Sequence, residues 1–274
     1  MITIITALYK SDKYLPSYAK KINVVAEVLT ENNIKFEFIL VPQLPTNNEK
    51  LILDELAKLP WLRVIENEKP SLYAAWNRAI ENSKGDGICF WNVDDSRVPE
   101  ALMDAETMIG AGAELVYFPF DIKWYIDLAG INIMVKKKHI DSLNLNQKIF
   151  ESSMPFASFW VASRELFKKV GPFDEQFRIA SDLDWIIRAA KASNKFELSK
   201  VSAGSFRVDG NGLSAGNKNL RRVAEANTIY LRHKIYYKLE KTTEELMLEY
   251  QIDKILYQNK LLAFNDGSLI YSNL

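Results

Sequence analysis

The sequence predicts an α/β protein: a mixed, mainly parallel sheet between two helical layers, a three-layer α/β/α sandwich, followed by C-terminal helices. Three observations carry this expectation. Ile2 to Leu8 is short, apolar and β-branched, without the alternating polarity of a strand that has one wet face, as expected of a strand covered on both sides. Tyr14 to Thr30 places Leu15, Tyr18, Ile22, Val25, Ala26 and Leu29 at three- and four-residue steps, one buried helical stripe. Strand and helix patterns then alternate as far as Glu66, the order that builds a parallel sheet.

The remaining elements follow in order. Phe36 to Val41 reads as the second strand, Lys50 to Leu59 as a helix after the polar loop Pro42 to Asn48, and Leu62 to Glu66 as the third strand. A helix over Ser71 to Asn82 stops at the turn Lys84 to Gly87, where glycine is the expected terminator. The apolar strand Ile88 to Val93 runs directly into Asp94 and Asp95, and Pro99 opens a helix reaching Gly110. Glu114 to Phe120 is a further strand. Between Asp121 and Ser153 the pattern is poor, with Gly130, the Lys136 to Lys138 run and several asparagines, so short strands and loops are expected there. Helices follow near Ser163 to Val170 and Asp182 to Ser193, separated by the turn Gly171 to Glu175. The tail, Leu220 to Leu262, reads as two helices joined near Lys241 to Thr243. The expected division is a catalytic domain over residues 1–219 and a helical appendage over 220–274.

Composition excludes several function classes. The chain has 274 residues, and its 35 Lys and Arg balance 35 Asp and Glu, so no overall positive field draws it to nucleic acid. Its single cysteine, Cys89, sits in an apolar run and reads as a buried thiol in a reducing compartment. The opening MITIITALYK has no leader pattern, and no apolar stretch approaches the roughly 20 residues that span a bilayer. The expectation is a soluble, cytoplasmic protein that could touch the inner face of a membrane. His139 and His233 are too isolated to suggest zinc. A Gly-x-Ser-x-Gly nucleophile, a Walker loop and a complete Rossmann fingerprint are all missing, which sets aside hydrolase, ATPase and dehydrogenase readings.

The most informative residues are the adjacent Asp94 and Asp95, because they lie at the carboxyl end of a central strand, where open α/β sheets bind ligands. Two carboxylates about 4 Å apart repel by roughly 4 kcal/mol at an effective dielectric near 20. A hard divalent cation shared with substrate phosphates would relieve that repulsion. Taken alone, the pair reads more readily as a solvated turn or a helix cap before Pro99 than as a cation site.

The flanks give the pair its context. SLYAAWNRAI (Ser71 to Ile80), KGDGICFWNVDDSRVP (Lys84 to Pro99) and KVGPFDEQFRIASDLDWIIRAA (Lys169 to Ala190) occur in that order. Together they resemble the inverting family 2 glycosyltransferases of the GT-A type, over about residues 1 to 235. The resemblance implies transfer of a sugar from a nucleotide-sugar donor to a glycan or lipid-linked acceptor. It implies that Asp94 lies near the ribose and diphosphate and that Asp95 ligates Mn²⁺ or Mg²⁺. Asp182 matches the family's catalytic base, although its place at a helix start also reads as an N-cap. Asp184 and Arg188 are one helical turn apart and expected to pair. Asn77 and Arg78 match residues that hold the donor loop, and Thr6, Ala7, Leu8 and Tyr9 match the nucleotide-binding edge, with Tyr9 placed to lie against the base. Arg207 and Ser214 match a loop that closes over the diphosphate.

Other matches read as structural. Asp174 and Glu175 brace a turn, and Trp76 belongs to the core. Phe159 and Trp160, ahead of Arg164, read as packing more readily than as a sugar platform. The Lys136 to Lys138 run reads as a solvated face that could attract a lipid phosphate or a membrane surface. There are departures from the pattern. Val41, Pro42, Gln43, Leu44 and Pro45 hold no carboxylate where many relatives recognise the nucleobase, so uridine specificity is not implied. Asp209 stands where His is common, and Ala74 where some relatives have Asp. Two rivals follow: a nucleotidyltransferase, for which the basic Gly-rich first loop is missing, and a glycan- or nucleotide-binding module without activity. The C-terminal helices could serve oligomerisation or cap the main domain.

Overall fold

The computed structural model describes residues 1–68, 70–128, 131–141, 147–209, 220–239, 262–265 and 268–270. The strands are β1 (Ile2–Leu8), β2 (Phe36–Pro42), β3 (Leu62–Val64), β4 (Gly87–Phe90), β5 (Ser96–Arg97), β6 (Leu115–Tyr117), β7 (Phe120–Leu128), β8 (Ile131–Ile140), β9 (Trp160–Ser163), β10 (Phe196–Leu198) and β11 (Gly204–Val208). A separate antiparallel ribbon joins β12 (Leu262–Asn265) to β13 (Ser268–Ile270). The helices are α1 (Leu15–Glu31), α2 (Asn47–Leu56), α3 (Leu72–Asn82), α4 (Pro99–Gly110), α5 (Gln147–Phe150), α6 (Arg164–Val170), α7 (Ser181–Ala192) and α8 (Leu220–Arg232).

Seven strands form the main sheet in the order β10-β6-β9-β4-β1-β2-β3. β1, β2, β3 and β4 run parallel, β9 runs against both β4 and β6, and β10 runs with β6, so every strand except β9 points the same way. Its two faces bury separate cores. Ile2, Ile4 and Phe38 meet Tyr18, Ile22, Leu53 and Leu102 of α1, α2 and α4 on one side. Ile5, Ile39 and Phe90 meet Tyr73, Trp76, Leu166 and Trp185 of α3, α6 and α7 on the other. The three-layer α/β/α expectation holds, with the mixed character supplied by β9. Trp76 stacks on Phe90 at 4.0 Å and Trp160 on Trp185 at 5.3 Å, which places both tryptophans in the core.

Several boundaries differ from the sequence reading, each for a local reason. α2 starts at Asn47, three residues early, because Thr46 and Glu49 form a capping box: Glu49 N–H donates to Thr46 Oγ1 at 3.1 Å and Thr46 N–H to Glu49 Oε2 at 2.8 Å. The expected patchwork after Asp121 is instead one long hairpin, β7 with β8, belonging to a second sheet ordered β5-β11-β7-β8. A register shift at Trp124 and Tyr125 interrupts its two-residue period, which hid it from the sequence. Arg207 sits in strand β11 rather than in a loop. β11 approaches β5 so closely that a Cβ on Gly204, at φ 134°, would lie 2.1 Å from the Ser96 carbonyl oxygen. Ser214 and the helix junction at Lys241 to Thr243 lie outside the described residues.

Helix α8 packs on α7, with Ile229 and Ile235 joining Phe177, Ala180 and Ile187 in a small apolar cluster. The junction is pinned by the buried Asp184, which accepts from Arg188 Nε at 2.8 Å, His233 Nε2 at 2.9 Å and Arg232 Nη1 at 3.2 Å. The expected Asp184–Arg188 pair is therefore present and extended by α8. Burial opposes ionisation of Asp184, but the His233 bond and the Arg188 and Arg232 charges outweigh it and hold the carboxyl at about 2. A depressed folded-state pKa stabilises the fold above the unfolded value, and the gain disappears as pH falls through the folded one. We expect Asp184→Asn to lower the unfolding free energy by about 2 kcal/mol at neutral pH. Urea titrations should show that gap closing as pH is lowered from 4 towards 2; a constant gap would contradict the charge account.

Candidate functional site

The topology decides where chemistry can gather. α1, α2 and α3 each follow a parallel strand, so their N-termini lie at the carboxyl edge of the sheet. α7 leads into β10, which runs with the same strands, so its N-terminus lies at that edge too. Asp94, Asp95 and Asp182 therefore reach one edge from different segments of the chain.

The first cluster forms where β4 ends. Asp95 N–H closes a turn on the Asn92 carbonyl at 3.1 Å. The Asp95 carboxyl is 1% exposed and accepts from Asn92 Nδ2 at 3.0 Å and from the Arg207 backbone N–H at 2.9 Å. Burial, reinforced by the charge of Asp94, pushes its pKa up well beyond the carboxylate range, against the pull of Arg97. Asp94 is half-buried, and its pKa is also raised, by burial and by the charge of Asp209, while Arg207 and Lys21 act the other way. Lys21 Nζ donates to the Asp95 carbonyl at 3.0 Å. Asp209 accepts from Tyr14 Oη at 2.5 Å and Arg207 Nε at 3.0 Å. Arg207 also donates from Nη2 to Asn132 Oδ1 at 2.6 Å and stacks over Tyr125 at 3.9 Å.

Beneath this cluster lies a cation that sequence reasoning missed. Arg97 is 8% exposed, donates to the carbonyls of Phe90 at 2.6 Å and Ser158 at 2.8 Å, and stacks on Phe159 at 4.0 Å. Phe159 also stacks on Phe120 at 4.5 Å, so it is packing and not a sugar platform. Arg97 offsets part of the buried negative charge above it, while its charge is held away from solvent.

The second cluster surrounds Asp182 at the start of α7. Its Oδ1 accepts from Tyr73 Oη at 3.1 Å and from the Leu183 N–H at 2.9 Å. Burial raises its pKa to about 6, and the charge of Glu225 adds to the rise, while the Leu183 and Tyr73 bonds oppose it. Glu225, on α8, is fully buried. It accepts from three consecutive amides of the segment entering α7: Arg178 N–H at 3.0 Å, Ile179 N–H at 2.8 Å and Ala180 N–H at 3.0 Å. Glu225 thus fixes the backbone that presents Asp182. No nearby pattern in the sequence marks this role, because the partners are backbone groups 45 to 47 residues away.

The remaining candidates divide clearly. Tyr9 is 48% exposed at the edge beside β1, with Lys10 over its ring, and Ala7 is half-buried. The Thr6 side chain does not reach the edge: it is 1% exposed, its hydroxyl bonded to the Trp91 carbonyl at 2.7 Å and to Tyr18. Asn77 is likewise committed elsewhere. It donates to the Phe173 carbonyl and to Glu175 Oε1, both at 2.9 Å, and accepts from the Phe173 N–H at 2.9 Å, so it braces the turn carrying Asp174 and Glu175. Asp174 meets Arg232 at 2.9 Å, and Arg164 holds the Gly85 carbonyl at 2.9 Å. Arg78 is exposed on α3, and among the described residues no hydrogen bond or ion pair ties its side chain to either cluster. Among the described residues no hydrogen bond joins Asp182 to Asp94 or Asp95.

The donor set suits a hard divalent cation. Burial raises the pKa of both Asp94 and Asp95, with the charge of Asp209 adding to the rise at Asp94 and that of Asp94 to the rise at Asp95, and carboxylate oxygens are the donors a hard divalent ion takes. Among the described residues no three His, Cys, Asp or Glu side chains are already gathered at ligating distances, so a bound ion would draw its remaining ligands from a substrate or from water.

The family model described as Glycosyl transferase family 2 matches residues 3–171, more than half the chain. The chain belongs to glycosyl transferase family 2. Solved structures agree on the fold. This family 2 protein superposes on S. aureus TarS with a TM-score of 0.58 at 18% identity, covering 89% of this chain and 46% of that one. It also matches the TarS 1–349 fragment in complex with UDP-GlcNAc, with a TM-score of 0.58 at 17% identity, covering 93% and 77%. The fragment in complex with UDP gives 0.54 at 17% identity, covering 93% and 76%. The chain spans less than half the length of the first of these. No curated protein matches the sequence. The fold is the α/β, mixed-sheet fold of GT-A glycosyltransferases.

The opposed influences on Asp182 can be read directly. Carbon-detected NMR titration of the carboxyls should place its midpoint higher in Tyr73→Phe, which loses a donor to the ionised form, and lower in Glu225→Gln, which removes a neighbouring negative charge. Shifts of the same sign in both variants would overturn the assignment.

Proposed function

We propose that this family 2 protein transfers a sugar from a nucleotide-sugar donor to a glycan or lipid-linked acceptor with inversion at the anomeric carbon. The carrying observation is the arrival at one sheet edge of two unlike carboxylate sites: a group at Asp94, Asp95 and Asp209, and a separate, partly buried Asp182 with its pKa raised to about 6. The co-crystallisation of the TarS fragment with UDP-GlcNAc and with UDP supports a nucleotide-sugar donor. Family membership disfavours the nucleotidyltransferase rival.

In this reading the donor diphosphate faces the Asp94 cluster. Arg207, held by Asp209, Asn132 and Tyr125, presents a fixed guanidinium to it. Asp94, Asp95 and Asp209 would hold Mn²⁺ or Mg²⁺. When bound, that ion supplies positive charge for the negative charge gathering on the departing diphosphate. Tyr9 offers an exposed ring to the base. Asp182 Oδ accepts the proton of the acceptor hydroxyl as that oxygen bonds to the anomeric carbon, and the bond from carbon to the diphosphate oxygen breaks on the opposite side. Tyr73 and the Leu183 amide hold the carboxylate in place, and Glu225 holds the backbone beneath it.

A base with a pKa raised to about 6 must lose its proton to act, so the transfer rate should climb as pH rises through about 6 and level above it. Asp182→Asn should retain donor binding and lose about 10²- to 10⁴-fold in transfer; undiminished turnover would remove Asp182 from this role. Calorimetry of a nucleoside diphosphate should show Mn²⁺-dependent binding that weakens about 10-fold or more in Asp94→Ala. Equal affinity with and without Mn²⁺ in the parent protein would argue against the cation.

A further inference from the structure

The hairpin of β7 and β8 has two faces, and the site uses only one. On that face Tyr125 lies under Arg207, Asn132 accepts from it, and Asp121 holds Lys137 and His139, each at 2.9 Å. The opposite face ends in aliphatic pairs: Ile126 stands across from Ile133, and Leu128 from Ile131. These side chains are 44%, 41%, 54% and 66% exposed. Nearer the base the same face pairs Trp124 with Lys136 and Ile122 with Lys138, and Lys136 Nζ lies 5.0 Å over the Trp124 ring. Among the described residues no acidic side chain occupies this face, and β8 is the last strand of its sheet.

We propose that this face docks on an anionic membrane surface. Four adjoining exposed aliphatic side chains form an apolar tip of the kind that marks an interaction site. A tryptophan and two lysines behind such a tip match the depth profile of a bilayer interface, with apolar groups below the headgroups and ammonium groups level with the phosphates. Charge selects the occupant. A second copy would present the same cationic, acid-free face to itself, whereas anionic headgroups complement both lysines. Near such a surface each lysine contributes about 1 kcal/mol, roughly fivefold in affinity. The site lies on the other face of the same two strands, so docking would hold it close to the bilayer. That consequence rests on the proposed transfer to a lipid-linked acceptor, while the binding itself does not.

The test uses the full chain without donor, sedimented with vesicles of phosphatidylglycerol or of phosphatidylcholine at low and high salt. We expect co-sedimentation with the anionic vesicles only, weakened by salt. The pairs Leu128→Ser with Ile131→Ser, and Lys136→Gln with Lys138→Gln, should each reduce it about tenfold or more. Ile131→Cys carrying an environment-sensitive fluorophore should shift to the blue on anionic vesicles alone, which covers the case of a poorly folding double variant. The proposal falls if the parent chain stays in the supernatant, as it would were the face covered by the chain's own C-terminal residues. It falls equally if the serine pair binds like the parent, or if light scattering shows a dimer that the serine pair disperses. None of these outcomes bears on glycosyl transfer, which is measured separately with a water-soluble acceptor.

Discussion

Negative charge concentrated at one poorly solvated edge of the sheet is the constraint around which much of this protein is arranged. Asp94, Asp95 and Asp209 come from the end of β4 and the end of β11, and none is far from another's field. Carboxylates held this way are costly unless opposite charge or hydrogen bonds compensate them. Arg97 compensates from below, Arg207 and Lys21 from the sides, and Asn92 and the Arg207 amide bind Asp95 directly. Burial still raises the pKa of Asp94 and Asp95, and the neighbouring acids add to the rise. In the proposed function a divalent cation bound with the donor would supply further positive charge here.

The second carboxylate is tuned by different means. Asp182 has no neighbouring cation among its hydrogen-bond partners; it has a phenol, an amide and the burial that lifts its pKa to about 6. Its position depends on α8, since Glu225 grips the amides leading into α7 while Asp184, one turn further on, is clamped by Arg232 and His233. Residues just beyond the expected domain boundary at 219 therefore help to build the candidate active site.

The hairpin of β7 and β8 joins these themes to the exterior. Its alternating side chains divide between the Arg207 environment and an apolar, lysine-bordered surface. A two-residue period makes such a division unavoidable in a strand exposed on both sides.

Much of this was legible in the residues themselves. The β-branched runs and the helical stripe of α1 determine the layered sandwich, because apolar periodicity dictates which surfaces must be buried. The placement of Asp94 and Asp95 at the carboxyl edge of the sheet was legible too, although β4 ends at Phe90, short of the expected Val93, and the pair sits in the turn that leads to β5. What tertiary structure alone decided were the relations across long separations. Thr6 and Asn77 belong to a motif but spend their polar groups inside the fold, on Trp91 and on the Phe173 turn. Arg97 lies within a family-like segment that gives it no role and Glu225 lies outside all of them, yet one offsets the buried acids and the other aims Asp182, because their partners are carbonyls, amides and rings brought near only by folding. Sequence pattern reports which face of an element is apolar; the partner a buried charge will find depends on how those faces meet.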